Sequence, residues 1–118
     1  MEPKSPDRFL GLLGLAKRAG RTVTGAPLIF TAMRTKRPPC LVLVAEDASD
    51  GARKKLRTKC EFYKVPLLYT TYTKEALAHA VGNSGEVAAV ALTDGGLAGE
   101  LLKPSMGQSR PKDGNEEM

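Results

Sequence analysis

Apolar residues at Phe9, Leu12, Leu13, Ala16 and Ala19 recur at intervals of three and four, the repeat of one helical face, and Leu10 and Leu15 widen the stripe to that of a core-facing helix. Ser5-Pro6-Asp7 precedes it as a helix opening: a capping hydroxyl, a proline in the first turn and an acid near the positive dipole end. Gly20 ends the helix. Arg21 to Thr24 then alternates polar and β-branched residues over a span that fits one short strand. A second helix is predicted from Ala26 to Thr35, with Pro27 tolerated in its first turn and Leu28, Ile29, Ala32 and Met33 facing inward.

The period changes after Pro38-Pro39, which forbids helix. Cys40-Leu41-Val42-Leu43-Val44-Ala45 is an unbroken apolar run, the pattern of a strand buried on both faces as in a parallel sheet, and it predicts the central strand. Glu46 to Asp50 supplies an acidic turn and cap. The helix that follows carries Ala52, Leu56, Cys60 and Tyr63 on one face and Arg53, Lys54, Lys55, Arg57 and Lys59 on the other. Such a basic face reads either as a solvated surface or as an RNA surface, and the solvated case is the commoner. Val65 to Tyr69 is a third strand, with Pro66 at its start where a missing N–H is tolerated. Thr73 caps a short helix over Lys74 to Val81, Gly82-Asn83-Ser84-Gly85 is a turn, and Glu86 to Leu92 is the fourth strand. Asp94 caps a last helix with Leu97, Ala98, Leu101 and Leu102. Short strands alternating with helices call for an α/β fold, a single three-layer α/β/α sandwich around a four-stranded mixed sheet. Residues 1–103 are assigned to this domain, and the polar, proline-containing residues 104–118 are expected to be disordered.

Charge adds a direction to this outline. The chain of 118 residues has 18 cations against 13 acids, and residues 104–118 hold two of those cations and three of those acids, so the excess is carried by the body. A basic body points to nucleic acid or an acidic surface as partner. Three phenylalanines, three tyrosines and no tryptophan argue against an aromatic base-stacking platform. Cys40 and Cys60 form no CxxC, and His79 is the single histidine, which argues against a zinc site and a disulfide scaffold; both cysteines read as small buried hydrophobes in a reducing cytosol. His79 has no nearby Ser, Cys or second histidine to support base catalysis, and no Walker loop, GxGxxG or GxSxG elbow is present. No apolar run approaches the roughly 20 residues needed to cross a bilayer. A cytoplasmic protein without enzymatic activity, metal, cofactor or membrane partner is expected.

The start of the second helix is the candidate site. A helix that begins at a glycine exposes free backbone N–H groups with no side chain in the way, the geometry that receives a phosphate, and Lys17, Arg18 and Arg21 stand just upstream of Gly25. A second reading stays open on this segment alone: Gly20 as a helix C-cap, with Lys17 and Arg18 as favourable last-turn charges.

Taken together, LLGLAKRAGRTVTG, LVLVAEDAS, KCEFYKVPLL, TKEALAHAVG and VAAVALTDGG stand in the order and spacing of the small bacterial YlxQ-like proteins. The chain therefore resembles the ribosomal-protein superfamily of L-seven-Ae and L-thirty-e type, which recognises kink-turn RNA, from Phe9 to Lys103. The resemblance implies one α/β/α sandwich, no catalysis, and RNA bound at one end of the sheet. Its contact surface would be the turn into helix two and the loop before the last strand, which covers an extruded base. By position, Thr24, Gly25 and Ala26 fall at that turn, Lys74 and Leu77 match a Ser/Thr-Lys-x-x-Leu block, and Gly85, Glu86 and Val87 fall at the base-covering loop.

One departure from the family pattern matters. Where kink-turn binders place an Asn-Glu pair and then a lysine, this chain has Pro27, Leu28 and Thr31. Groups able to bond base edges are replaced by apolar or short ones, so direct base readout is expected to be lost or much weakened, while phosphate contacts and shape remain. The expected function is binding of structured or ribosomal RNA, by a monomer that can associate with ribosome-associated proteins. The alternative is a protein-interaction module on the same fold, with Pro27 and Leu28 in an apolar contact patch.

Overall fold

The computed structural model describes residues 8–103; the helix opening at Ser5-Pro6-Asp7 and the polar segment from Pro104 onward lie outside them. The elements run α1 (Arg8–Arg18), β1 (Thr22–Thr24), α2 (Ala26–Met33), β2 (Leu41–Val44), α3 (Asp50–Tyr63), β3 (Leu67–Tyr69), α4 (Lys74–Ala80), β4 (Ala89–Leu92) and α5 (Gly95–Leu102). Every element expected from the periodicity is present, in the expected order.

The two apolar runs pair with each other at the middle of the sheet. Strand order is β1-β4-β2-β3, with β2 parallel to β3 and antiparallel to β4, and β1 antiparallel to β4. The sheet is therefore mixed, and β2 shares the interior with β4. All residues of both strands are buried, which requires cover on both faces. Helices α2 and α3 pack together on one face, and α1, α4 and α5 pack on the other. Pro39 is buried ahead of β2, and the Cys40 N–H donates to the Leu92 carbonyl at 2.7 Å, so the run is tied to β4 from its first residue.

Local chemistry sets the element ends. Ser49, Thr73 and Asp94 cap α3, α4 and α5 through their side-chain oxygens. Thr70 is buried, and its hydroxyl donates to the Val44 carbonyl at 2.9 Å while accepting from the Tyr72 N–H. Some boundaries differ from expectation. Helix α2 stops at Met33, with Arg34 as its cap. Strand β3 starts at Leu67, because the Val65 N–H is committed to the Cys60 carbonyl at the end of α3 and Pro66 has no N–H. Strand β4 starts at Ala89, because the Val87 N–H turns back to the Lys74 carbonyl.

Side-chain burial follows the predicted stripes except at Leu15, Ala19 and Leu28, which are exposed. Phe9, Leu13 and Ala16 of α1 are buried, but Ala19 is exposed beyond the end of the helix. On α2, Ile29 and Met33 face the sheet one turn apart, and Leu28, rotated about 100° from Ile29, is 62 % exposed. On α3, Leu56 and Cys60 are buried and Tyr63 is half-buried.

Cys60 behaves as the small hydrophobe expected of it, whereas Cys40 is only half-buried. Desolvation pushes the Cys60 thiol up from 9.0 to about 11. Its folded pKa lies above its unfolded value, so the stability it confers is full below about pH 9 and is lost as the pH rises toward 11. Urea midpoints measured between those limits are therefore expected to fall more steeply for the wild type than for Cys60→Ala, and parallel declines would contradict the burial of the thiol.

Candidate nucleic-acid interface

Gly25 joins the sheet to a helix without an intervening loop. Its N–H donates to the Ala89 carbonyl at 3.0 Å, extending the β1–β4 ladder, and its own carbonyl accepts from the Ile29 N–H at 3.0 Å, opening α2. Its φ of 93° and ψ of 140° lie where glycine alone is comfortable. A Cβ there would meet nothing within 4 Å, so the demand is conformational, not steric. The helix start has no side-chain cap. Pro27 brings no N–H, so the amides of Ala26 and Leu28 are left at the positive end of α2 without intrahelical acceptors.

The α1 terminus has the geometry of the capping reading. The Arg21 N–H donates to the Ala16 carbonyl and the Gly20 N–H to the Lys17 carbonyl, with Gly20 at φ 73°, a Schellman ending with Lys17 and Arg18 in the last turn. Lys17 also lines a cleft of about 280 Å³ with Thr24, Leu28, Val81, Gly82 and Asn83. Lys17 and Thr24 are thus brought together beside Gly25. Arg18 is exposed at the last position of α1. Arg21 is carried away from Gly25: its carbonyl accepts from the Thr93 N–H at the opposite end of β1, about 13 Å along the strand from Gly25.

The second predicted segment lies across the same end of the sheet. Lys74 is held at the start of α4, its N–H donating to Asp47 Oδ1 at 2.7 Å and its Nζ standing 3.6 Å from Glu86 Oε1. Gly85 has φ 95° and, like Glu86, is exposed. Val87 differs from these neighbours. It is 7 % exposed and its N–H is bonded to the Lys74 carbonyl, so its side chain belongs to the core. Gly85 and Glu86 line a larger cleft of about 690 Å³ with Thr73, Glu75, His79, Asn83 and Ser84.

Asn83 lines both clefts, a position the sequence reading did not single out. Its one signal in the sequence is its place in a turn, three residues after the end of α4 at Ala80. There its N–H closes α4 on the Ala78 carbonyl while Gly82, at φ 70°, bonds to the His79 carbonyl. Among the described residues no group of three or more His, Cys, Asp or Glu could hold a metal ion, and no helix is long and apolar enough to cross a membrane.

A three-layer sandwich that presents a glycine-opened helix and a glycine loop at one end of its sheet is a binding domain of ribosomal-protein type. The chain belongs to the Ribosomal protein L7Ae/L30e/S12e/Gadd45 family, whose sequence signature matches residues 7–102. It is 41% identical over 91 residues to the RNA-binding protein YlxQ of Bacillus subtilis (strain 168), covering 77% of this chain and 88% of that one. It is 30% identical over 98 residues to the RNA-binding protein YlxQ of Enterococcus faecium, covering 83% of this chain and 91% of that one. Among solved structures, a protein with unknown function from Bacillus halodurans C superposes with a TM-score of 0.74 at 30% identity, over 81% of this chain and 94% of that chain. The Giardia lamblia 15.5kD RNA binding protein superposes with a TM-score of 0.66 at 20% identity, over 84% and 88%, a likeness that speaks to the fold alone. Membership places the chain among binding proteins, not enzymes.

The conformational demand at Gly25 can be measured against a neutral glycine. Gly11 lies exposed inside α1 with open space for a Cβ, so Gly11→Ala is expected to stabilise by about 0.5–1 kcal/mol. Gly25→Ala has the same open space but the wrong φ, and is expected to destabilise by roughly 1–3 kcal/mol in urea unfolding. Equal effects at the two sites would show that α2 does not depend on the Gly25 backbone.

Proposed function

We propose that the protein binds structured RNA without catalysis, through the end of the sheet at which Gly25 and Gly85 lie, and that its base-specific readout is weak. The observation that carries this is the Gly25 turn, where α2 begins uncapped beside the cleft of Lys17, Thr24 and Asn83. Backbone amides at a helix start suit phosphate oxygens, and Lys17 and Arg18 stand exposed nearby to neutralise charge. Lys74 contributes through an exchange: its pairing with Glu86 is a partly exposed contact of low worth, so a phosphate can replace the carboxylate. The curated relatives are RNA-binding proteins by name, which agrees with this reading. Kink-turn-like or ribosomal RNA is the proposed target. The protein acts as a cytoplasmic monomer whose RNA contacts lie within residues 1–103, the tail 104–118 being dispensable to them.

Weak base readout rests on the first turn of α2. Pro27, Leu28 and Thr31 are all exposed, but proline and leucine neither donate to nor accept from base edges through their side chains, and the Thr31 hydroxyl donates to the Pro27 carbonyl at 3.2 Å. A second reading, docking of a partner protein, is favoured by one observation: Leu15 and Leu28 are 49 % and 62 % exposed, more apolar surface than phosphate binding requires.

Salt dependence separates the two. Phosphate-led binding weakens steeply with salt, and Lys17→Ala and Arg18→Ala are each expected to lower the slope of log affinity against log salt by about one unit. An unchanged slope would assign both cations to capping α1. Readout is tested by titrating an intact kink-turn RNA and one with its G·A pairs disrupted. The wild type is expected to discriminate poorly, and the triple variant Pro27→Asn, Leu28→Glu, Thr31→Lys to gain about 1–3 kcal/mol of discrimination per bidentate contact recovered. Strong discrimination in the wild type would mean that other groups read the kink.

A further inference from the structure

A cleft of about 560 Å³ opens at the edge of the sheet farthest from β1, lined by Pro66, Leu67 and Tyr69 on the β3 side and by Arg57, Glu61 and Lys64 on the α3 side. Tyr69 is 46 % exposed, and the Arg53 guanidinium carbon stands over its ring, 5.4 Å from the centroid. No carboxylate claims the cations here: among the described residues the ion pairs join Arg8, Lys74 and Lys103 to Glu86 and Glu100, and none involves Arg53, Arg57 or Lys64.

Lys64 adds an independent sign. Helix α3 ends with the same hydrogen bonds as α1 and α4, Val65 N–H to the Cys60 carbonyl and Lys64 N–H to the Glu61 carbonyl. In α1 and α4 the left-handed residue of that ending is a glycine; here it is Lys64, at φ 59°, the one non-glycine residue with positive φ among the described residues. A side chain kept where its absence would relieve the backbone points to a use for it. The strand edge is also open. Val42 N–H bonds to the Pro66 carbonyl and Thr70 N–H to the Val44 carbonyl, so the peptide groups of Leu67 and Tyr69 face away from β2.

We propose that this groove binds unpaired nucleotides of an RNA strand. A base stacks on the Tyr69–Arg53 ledge, Arg57 and Lys64 take the flanking phosphates, and the outward peptide groups of Leu67 and Tyr69 are within the reach of a base edge. An acidic peptide added as a fifth strand fits less well, because β3 offers an edge of only 3 residues. The groove adds a second surface to the RNA binding proposed above and does not depend on the Gly25 end.

The test uses the full chain and a fluorescent oligouridylate of about ten nucleotides, which has no folded kink to engage Gly25. Tyr69→Ala, and separately the double variant Arg57→Glu, Lys64→Glu, are expected to weaken binding about fivefold or more at an unchanged thermal midpoint. Tyr69→Phe, which keeps the ring, is expected to leave it unchanged, and Lys17→Ala, at the other site, to weaken it less than either groove variant does. Ultraviolet crosslinking and tryptic mass spectrometry should locate the uridine adduct in residues 65–74. Absence of oligouridylate binding, wild-type affinity in both groove variants, or an adduct elsewhere would overturn the proposal. So would an equal loss in Lys17→Ala, which would leave the Gly25 end as the RNA site. Binding of a polyglutamate peptide that the groove variants abolish, with no oligouridylate binding, would reassign the groove to acidic protein.

Discussion

Everything outside the core is arranged around the pairing of β2 with β4, two strands buried on both faces. A sheet whose middle is dry on both sides offers no surface to a ligand, and five helices are consumed in covering it. Binding chemistry is then confined to strand ends and sheet edges. Gly25 is where this confinement becomes geometry. The Ala89 carbonyl accepts from Gly25, Ala89 pairs with Val44, and Val44 pairs with Tyr69, so one row crosses the whole sheet from the start of α2 to the open edge of β3. At the usual strand spacing that row spans about 14 Å, and its rigidity comes from the core, not from the loops around it.

Charge is divided between the two helical layers. Residues 34–64, which include α3 and the end of the α2 segment, carry nine cations against four acids. The described ion pairs all lie in the other layer, among α1, α4, α5 and the loop before β4. Lys55 is partly absorbed by packing 5.6 Å over the Phe30 ring, but most of the field of that layer is left uncompensated. Such a field attracts a polyanion over distances of a Debye length and more weakly beyond, whichever group makes the final contact. On the proposed function the solvated and RNA readings of the α3 face are not exclusive, because cations that face water also draw a polyanion toward the molecule.

Periodicity made the elements legible in the sequence because each depends on residues close in the chain. The run from Cys40 to Ala45 reads as a strand buried on both faces, and Leu41–Val44 within it is one, although Cys40 is only half-buried. Its partners depend on residues far away, so the antiparallel union with β4 could not be read from its own pattern, which is shared with strands of parallel sheets. Leu28 was assigned inward because helical spacing ranks faces but does not say where the sheet beneath ends. The candidate site was legible in the same proportion. Lys17, Thr24 and Gly25 come together because a short strand and a Schellman turn fix their separation. Arg21 is nearer to Gly25 in sequence than Lys17 is, yet β1 is extended and carries it to the other end. Val87 is buried and Asn83 exposed on either side of Gly85, whose φ of 95° is a backbone fact that residue types only permit.

Platform and readout are separate at the start of α2, and this separation explains how the fold can be secure while the specificity is open. The platform is backbone: the Gly25 bond to Ala89 and the uncapped amides, both fixed by the sheet. The readout is side chain, and Pro27, Leu28 and Thr31 are exposed, so they can be exchanged without disturbing Ile29 or Met33 beneath. Pro27 gives something in return for the base contacts it cannot make. Its fixed φ preorganises a helix that Gly25 leaves without a side-chain cap, so the amides of Ala26 and Leu28 are held in position before any ligand arrives. If this turn is the phosphate site proposed above, its preorganised backbone would leave little ordering to be done on binding and would be indifferent to the attached base.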